Sequence, residues 1–241
     1  VRHRAGQPHS MPTFNLSMLL SGQYHEWLVS GFVMSLKLSV IAFAISLPLA
    51  IVIALLRLAP LAPLRGLGQT YVEAIRNVPL LAHMLFWYFG APQLLPFAIK
   101  SWLYEHNYEA VSALIALVLY TTAYMAEDIR SGIRSIPKEQ LEASRALGFS
   151  FLASMRLVVL PQSLRITVPP LVNQILNLWK NSSIAMVIGV AELMYQAQQV
   201  ESATFRGFES FAFATLAYLT ISMTITLFSL WYQHRFPVRS M

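Results

Sequence analysis

Cysteine is absent from this sequence of 241 residues. Its absence excludes disulfides, thiolate metal sites and catalysis by a thiol, and it leaves the redox compartment open. Charged residues are also scarce, at 12%, against roughly 25% in a typical soluble domain. Hydrophobic residues make up 56% of the chain. We therefore predict one integral membrane domain, with no separate soluble domain of useful size.

Several recognisable chemical sites are missing as well. None of the ten glycines is followed by lysine, so the sequence has no phosphate-binding P-loop. The six histidines are scattered and do not have the spacing of metal ligands. The net charge of +6 does not follow a basic stripe with interleaved aromatics, which argues against nucleic acid as a partner. The sequence thus predicts neither an enzyme nor a chain that binds its own cofactor.

Long apolar runs are the main positive feature. Each is near the ~20 residues that an α-helix needs to cross a bilayer core. Transmembrane barrels instead show ~10-residue segments of alternating polarity, which this sequence lacks. We therefore predict an all-α integral membrane protein with about five transmembrane helices, at 31–56, 78–99, 110–126, 166–191 and 211–233.

The basic residues indicate the orientation. Lysine and arginine gather after the first run, between the third and fourth runs, and after the fifth run. Because cytoplasmic connections carry this excess, the amino terminus is predicted outside and the carboxyl terminus inside. The predicted divisions are an external segment at 1–30, a transmembrane domain at 31–233 with a cytoplasmic loop at 130–165, and a cytoplasmic tail at 234–241.

The cytoplasmic loop contains a short charged stretch, "EQLEASRALG" at 139–148. Ser135 and Pro137 predict a helix start, and Gly148 predicts its end. Ser150 is a candidate cap for a second helix, which Pro161 is expected to end. Such a loop is either a solvated connector or a docking device. A helix with small residues along one charged edge favours insertion into a groove on a partner protein.

The same loop resembles the EAA loop of ATP-binding-cassette (ABC) importer permeases. The resemblance is carried by Glu142-Ala143-Ser144, Gly148 and Leu160-Pro161, with Ser144 in place of the usual second alanine. It extends to "YVEAIRNVPLL" (71–81), "AYMAEDIRSGIRSIP" (123–137), "LPQSLRITVPPLVNQ" (160–174) and "KNSSIAMVIGVAEL" (180–193). The chain resembles the polar amino-acid branch of this family, and most of all its glutamate/aspartate importer permeases.

The resemblance implies a type I ABC importer permease fold in a bacterial inner membrane. It implies that the short loop helix is a coupling helix seated on a cytoplasmic ATPase subunit, which binds ATP and Mg²⁺ in place of this chain. It also implies a second permease subunit, identical or related, and a periplasmic substrate-binding protein. The candidate coupling residues are Glu142, Ala143, Ser144, Gly148, Leu160 and Pro161.

The fourth run is interrupted by Lys180, Asn181, Ser182 and Ser183. A lysine in mid-span costs ~2.5–3.5 kcal/mol on insertion scales and is therefore a functional candidate. These polar residues also suggest a helix that opens locally beside water. The related permeases usually carry aspartate where this chain has Asn181. A lysine without a neighbouring acid favours an acidic substrate, with glutamine or another polar amino acid as the alternative. Lys180 could instead hold helices together.

A second class of function remains open at this point. A structural or enzymatic membrane protein would use intramembrane polar residues for packing or catalysis. An acid/base pair is conceivable among Glu73, Arg76, Glu127 and Asp128. Each lies near a cytoplasmic span end, where a charge costs little, so these residues are better explained as charges that set the topology.

Overall fold

The structure, a computed structural model, describes residues 17–237. Over these residues the chain is helical and has no strand, which confirms the all-α prediction. The α-helices are α1 (Ser17–Leu20), α2 (Gln23–Leu58), α3 (Ala62–Arg76), α4 (Leu80–Leu85), α5 (Ala91–Leu94), α6 (Phe97–Glu105), α7 (Tyr108–Arg134), α8 (Lys138–Ala146), α9 (Phe151–Ser154), α10 (Leu160–Asn181), α11 (Leu193–Thr204) and α12 (Gly207–Arg235). Two π-helical segments, Phe86–Gly90 and Met155–Val159, and a 3₁₀ segment, Ser182–Ile188, join some of them without a loop.

The centre of the bundle is the contact between α2 and α7. Small residues recur every three to four positions along the buried side of α2, and alanines line the buried side of α7. Ser46 on α2 donates a hydrogen bond to the carbonyl of Val118 on α7, at 3.1 Å. In a membrane, small side chains favour helix association because they let two backbones approach closely. The buried small residues of α2 are Gly31, Ser35, Ser39, Ala42, Ser46, Ala50 and Ala54.

Four helical stretches in the described part of the chain are long and apolar enough to cross a membrane. They are Gln23–Leu58, Tyr108–Arg134, Phe151–Ile188 and Gly207–Arg235. The remaining predicted span, 78–99, does not form one continuous helix. Its helix runs through the π segment to Leu94, and then Leu95 takes an extended conformation before Pro96, as a residue preceding proline prefers. The count of five spans therefore stays a prediction.

The expectation that Pro161 ends a helix is wrong. The chain stays helical from Phe151 through Pro161 to Asn181. A proline inside an α-helix lacks one N–H and collides with a carbonyl four residues earlier. Here the π-helical segment Met155–Val159 precedes it, and the Leu160 N–H bonds the carbonyl of Met155, five residues back. This wider turn places Pro161 near the start of a new α-helical stretch, where a proline is tolerated.

The start of α11 is organised by a buried carboxylate that the sequence analysis did not single out. Glu192 accepts hydrogen bonds from the N–H groups of Met194 and Tyr195, at 3.0 and 2.8 Å. Its carboxylate also accepts from Ser35 on α2 and from Tyr218 on α12, at 3.2 and 2.9 Å. Glu192 thereby caps one helix and joins it to two others.

The predicted orientation yields a topology test. Helix α7 has 27 residues, about 40 Å of helix, so positions that precede and follow it lie on opposite sides of a bilayer. We expect a reporter fused after Arg145 to be active in the cytoplasm and one fused after Glu105 to be active in the periplasm. The measurement is a paired phosphatase and fluorescence fusion assay. Reporters on the same side would contradict the orientation.

Candidate functional site

The loop that follows α7 contains the predicted helix–glycine–helix unit. Helix α8 begins directly after Pro137, as predicted, and the hydroxyl of Ser135 bonds the carbonyl of Gly132 in α7 instead of capping α8. At the other end, the Gly148 N–H bonds the Arg145 carbonyl and the Phe149 N–H bonds the Ser144 carbonyl. This is the Schellman arrangement, which requires a left-handed residue. Gly148 provides it, with φ of +89°.

The second helix of the loop begins where it was predicted to begin. The side chain of Ser150 accepts a hydrogen bond from the N–H of Ala153, at 3.2 Å. Around this junction large apolar side chains are exposed, and we call this set the loop face: Leu147, Phe149, Phe151 and Leu152. Leu147 is 79% exposed and Leu152 is 75% exposed. Exposed apolar side chains gathered in one place mark an interaction surface.

The three residues of the EAA-like motif do not share one side of α8. Glu142 and Ala143 are exposed, whereas Ser144 is buried and donates its hydroxyl to the Leu141 carbonyl, at 2.8 Å. Ser144 is the buried residue of α8, and α8 packs against the π-helical segment. Leu160 and Pro161 lie beyond that segment, on the continuous helix. Among the candidate coupling residues, Glu142, Ala143 and Gly148 are the exposed ones that adjoin the loop face.

A polar face runs along α10, within one of the stretches that are apolar enough to cross a membrane. Asn173, Asn177 and Lys180 are all exposed on the chain, and their spacing of four and three residues puts them on one side of a helix. No hydrogen bond or ion pair of these three side chains occurs within residues 17–237. Exposed polar groups of this kind require water or another protein chain beside them, because lipid does not satisfy them.

The four residues of the predicted pathway stretch differ in accessibility. Lys180 is exposed, Asn181 and Ser183 are half-buried, and Ser182 is fully buried with its hydroxyl donated to the Trp179 carbonyl, at 2.8 Å. The α-helix ends at Asn181, and the backbone continues as a 3₁₀ segment. The helix type therefore changes at the predicted position, and the backbone stays helical through it.

Trp179 fixes which way this stretch faces. Its ring is buried. The centre of this ring lies 5.8 Å from the ring centre of Phe32 on α2 and 4.9 Å from that of Tyr218 on α12. Its indole N–H bonds the carbonyl of Tyr218, at 3.2 Å. Leu178 and Trp179 are buried in the bundle, whereas the next residue, Lys180, is exposed.

The charges considered for an acid/base pair are not paired with one another. Glu127 bonds Arg57 and Arg130, and Asp128 accepts a hydrogen bond from Gln174 at 2.8 Å. Separately, the Gln69 side chain donates to Glu73 at 2.7 Å, and the Arg76 guanidinium lies 4.9 Å from the ring centre of Tyr124. Across residues 17–237 no group of three or more histidine or carboxylate side chains is arranged to hold a metal ion.

The comparisons with known proteins agree with this geometry. Residues 46–237 match the family model described as "Binding-protein-dependent transport system inner membrane component". The chain belongs to this family. It is 40% identical over 213 residues to the "Probable glutamine ABC transporter permease protein GlnM" of Bacillus subtilis, covering 88% of this chain and 90% of the relative. It is 36% identical over 208 residues to the "Glutamate/aspartate import permease protein GltJ" of Escherichia coli K12, covering 85% of each.

A solved structure, "Crystal structure of an amino acid ABC transporter with histidines", superposes with a TM-score of 0.81 at 31% identity, covering 93% of this chain and 100% of that one. The chain is therefore an amino-acid ABC transporter permease subunit with the type I importer fold, and it is a multi-pass membrane protein. In this family the ATPase activity lies in a separate subunit.

The turn at Gly148 yields a stability and coupling test. An L-residue at φ of +89° is strained by ~1–2 kcal/mol. A Cβ at Gly148 would meet no atom within 4 Å, so the strain of Gly148→Val is conformational and not steric. We expect this variant to insert normally and to lose the stimulation of ATPase activity by loaded binding protein, measured in the assembled complex.

The matched control is Gly66→Val. Gly66 lies in helix α3, has an ordinary helical φ, and is also free of neighbours within 4 Å. The Gly66 variant has the same change of residue at a position that does not need a left-handed backbone, so we expect it to retain the stimulation of ATPase activity. Full stimulation in the Gly148 variant would show that the angle between α8 and α9 does not matter for coupling.

Proposed function

We propose that this subunit forms the translocation pathway of an ATP-driven importer of acidic amino acids. It works beside a second permease subunit, identical or related, and receives its substrate from a periplasmic binding protein. Its loop docks on a separate cytoplasmic ATPase. The observation that carries this proposal is the outward-facing Lys180 on the polar face of α10.

The position of Lys180 supports a shared pathway. A lysine in mid-span costs ~2.5–3.5 kcal/mol if it faces lipid. Its ammonium has no ion pair within the described residues, so the chain itself does not neutralise it. A second subunit that presents the same surface would place two polar faces around a water-filled space. Closed two-fold dimers are the commonest arrangement of protein subunits and bring identical faces together in this way.

The charge beside Lys180 supports an acidic substrate. Asn181 is neutral where the related permeases usually carry aspartate, so no neighbouring side chain in this stretch offsets the lysine. Attraction between the ammonium and a substrate carboxylate is amplified in a low dielectric. The relatives point to several substrates, because their names include glutamine, glutamate/aspartate and arginine. Glutamine or another polar amino acid is therefore the alternative.

The loop supports coupling to a separate ATPase. Helix α8 presents Glu142 and Ala143 outward, and the exposed apolar loop face adjoins them. A short helix beside an apolar patch suits a groove on a partner protein. ATP and Mg²⁺ would be held by that partner, whose closure would move α8 and, through it, the spans.

The role of Lys180 is testable by uptake. In vesicles that contain the matching ATPase and binding protein, we expect Lys180→Met to reduce glutamate uptake by about tenfold or more. The matched control is Lys37→Met. Lys37 is also exposed on an apolar span and has no ion pair among residues 17–237, but it lies on α2 and outside the polar face. Equal losses in both variants would remove the special role of Lys180.

The substrate preference is tested by Asn181→Asp. An added carboxylate beside Lys180 offsets its charge, so glutamate uptake is expected to fall more than glutamine uptake. Competition assays with both amino acids in the same vesicles measure the ratio. An equal fall for the two substrates would argue against charge selection at this position.

The docking role is tested by Glu142→Lys. Glu142 is exposed in the middle of α8, and a reversed charge there is unfavourable for a partner groove that is complementary to a carboxylate. We expect the variant to insert normally and to retain less ATPase subunit on co-purification. Arg156→Glu serves as the comparison, because it also reverses the charge of an exposed residue, in the π-helical segment Met155–Val159. Undiminished co-purification of the Glu142 variant would move the docking surface elsewhere.

A further inference from the structure

The cytoplasmic end of α7 leads directly into α8. Only residues 135–137 separate Arg134, the last residue of α7, from Lys138, the first of α8. Such a short connection cannot absorb a large displacement. A movement of α8 must therefore act on the last turns of α7, and whatever those turns contact will move with them or resist them.

Those turns hold a carboxylate between two guanidinium groups. Glu127 bonds Arg57, the penultimate helical position of α2, through one oxygen. Through its other oxygen it bonds Arg130, one turn further along α7, at 2.9 Å. The three side chains are 25%, 10% and 21% exposed for Glu127, Arg57 and Arg130 respectively. A pair this shielded is much less screened by salt than a surface pair.

Helix α3 holds the arginine in place. At Gly68 it passes so close to α2 that an added Cβ would lie 2.7 Å from Cγ of Arg57. The aliphatic part of Arg57 therefore lies beneath α3 while its guanidinium reaches α7. The ion pair therefore joins α2 to α7 at the level where α3 packs against α2.

The positive charges around Arg57 explain why the carboxylate of Glu127 is needed beside it. Arg130, Arg76 and Arg134 all act on Arg57 repulsively, and Glu73 acts on it attractively from α3. Without the charge of Glu127, the guanidinium groups of Arg57 and Arg130 would repel each other with no carboxylate between them.

We propose that Glu127 is a positioning residue for coupling: its bridge to Arg57 ties the end of α7 to α2, so that a displacement of α8 moves both helices together. The inference rests on the proposed coupling of α8 to an ATPase. It assigns the step between the loop and the spans to one ion pair whose members are 70 residues apart in sequence.

The principal test is Glu127→Gln in the assembled permease–ATPase complex in vesicles. Glutamine keeps the shape of the side chain and removes its charge. We expect the ratio of ATPase activity with and without loaded binding protein to fall by about tenfold, a size typical of coupling between two sites. The basal rate and the amount of complex recovered are expected to stay near those of the unmodified protein.

Variants at the partner residue separate positioning from general stability. Arg57→Gln should reproduce the defect, Arg57→Lys should restore much of the ratio because it keeps the charge, and the double variant Arg57→Gln/Glu127→Gln should be no worse than either single change. Asp128→Asn is the matched control. It removes the neighbouring carboxylate on α7, which accepts a hydrogen bond from Gln174 on α10 and is not part of the bridge to Arg57.

Two outcomes would overturn the inference. An unchanged ratio in Glu127→Gln would show that the bridge does not transmit the movement. A parallel fall of basal and stimulated rates, with lower thermal stability and no rescue by Arg57→Lys, would show a structural role only. Failure of the unmodified chain to recover an ATPase subunit would instead contradict the proposed function, so the two failures are distinguishable.

Discussion

The close approach of α2 and α7 through small side chains is the contact on which the rest of the structure depends. Lipid offers little hydrophobic drive for two apolar helices to associate, so their packing has to come from close backbone contact. That contact fixes the register of α2, and α2 meets a buried or shielded carboxylate at two widely separated positions. Ser35 bonds Glu192, and Arg57 bonds Glu127. These positions are 22 residues apart on one helix, about 33 Å, so a slip of one turn would break both.

The local signals in the loop were sufficient to predict its form. Proline, glycine and serine act through their own backbone preferences, so Pro137, Gly148 and Ser150 could be placed from the sequence. The prediction for Pro161 failed because the effect of a proline also depends on the turn that precedes it. The π-helical segment at Met155–Val159 has no composition that distinguishes it from an α-helix. The unbroken helix through Pro161 was therefore not predictable.

The candidate site was partly predictable. The cost of placing a charge in a membrane identified Lys180. Which side of α10 faces the bundle depends on Trp179, whose ring packs against rings from α2 and α12. The sequence interpretation treated Glu127 as a charge that sets topology, and it did not single out Glu192. Each is a shielded partner of α2 because of contacts between residues 70 and 157 positions apart. A single sequence shows no signal for pairs so distant.

The polar groups of α10 and α12 differ in their hydrogen-bond partners, and the difference indicates which of the two surfaces needs a neighbour. On α12, the exposed hydroxyls of Thr220, Thr224 and Thr226 bond carbonyls four residues earlier in their own helix. Such a surface is compatible with lipid because its polar groups are already satisfied. Asn173, Asn177 and Lys180 on α10 have longer side chains and no such bonds within residues 17–237, so the same helix cannot satisfy them. In the proposed dimer, α10 therefore belongs at the shared pathway and α12 can face the bilayer.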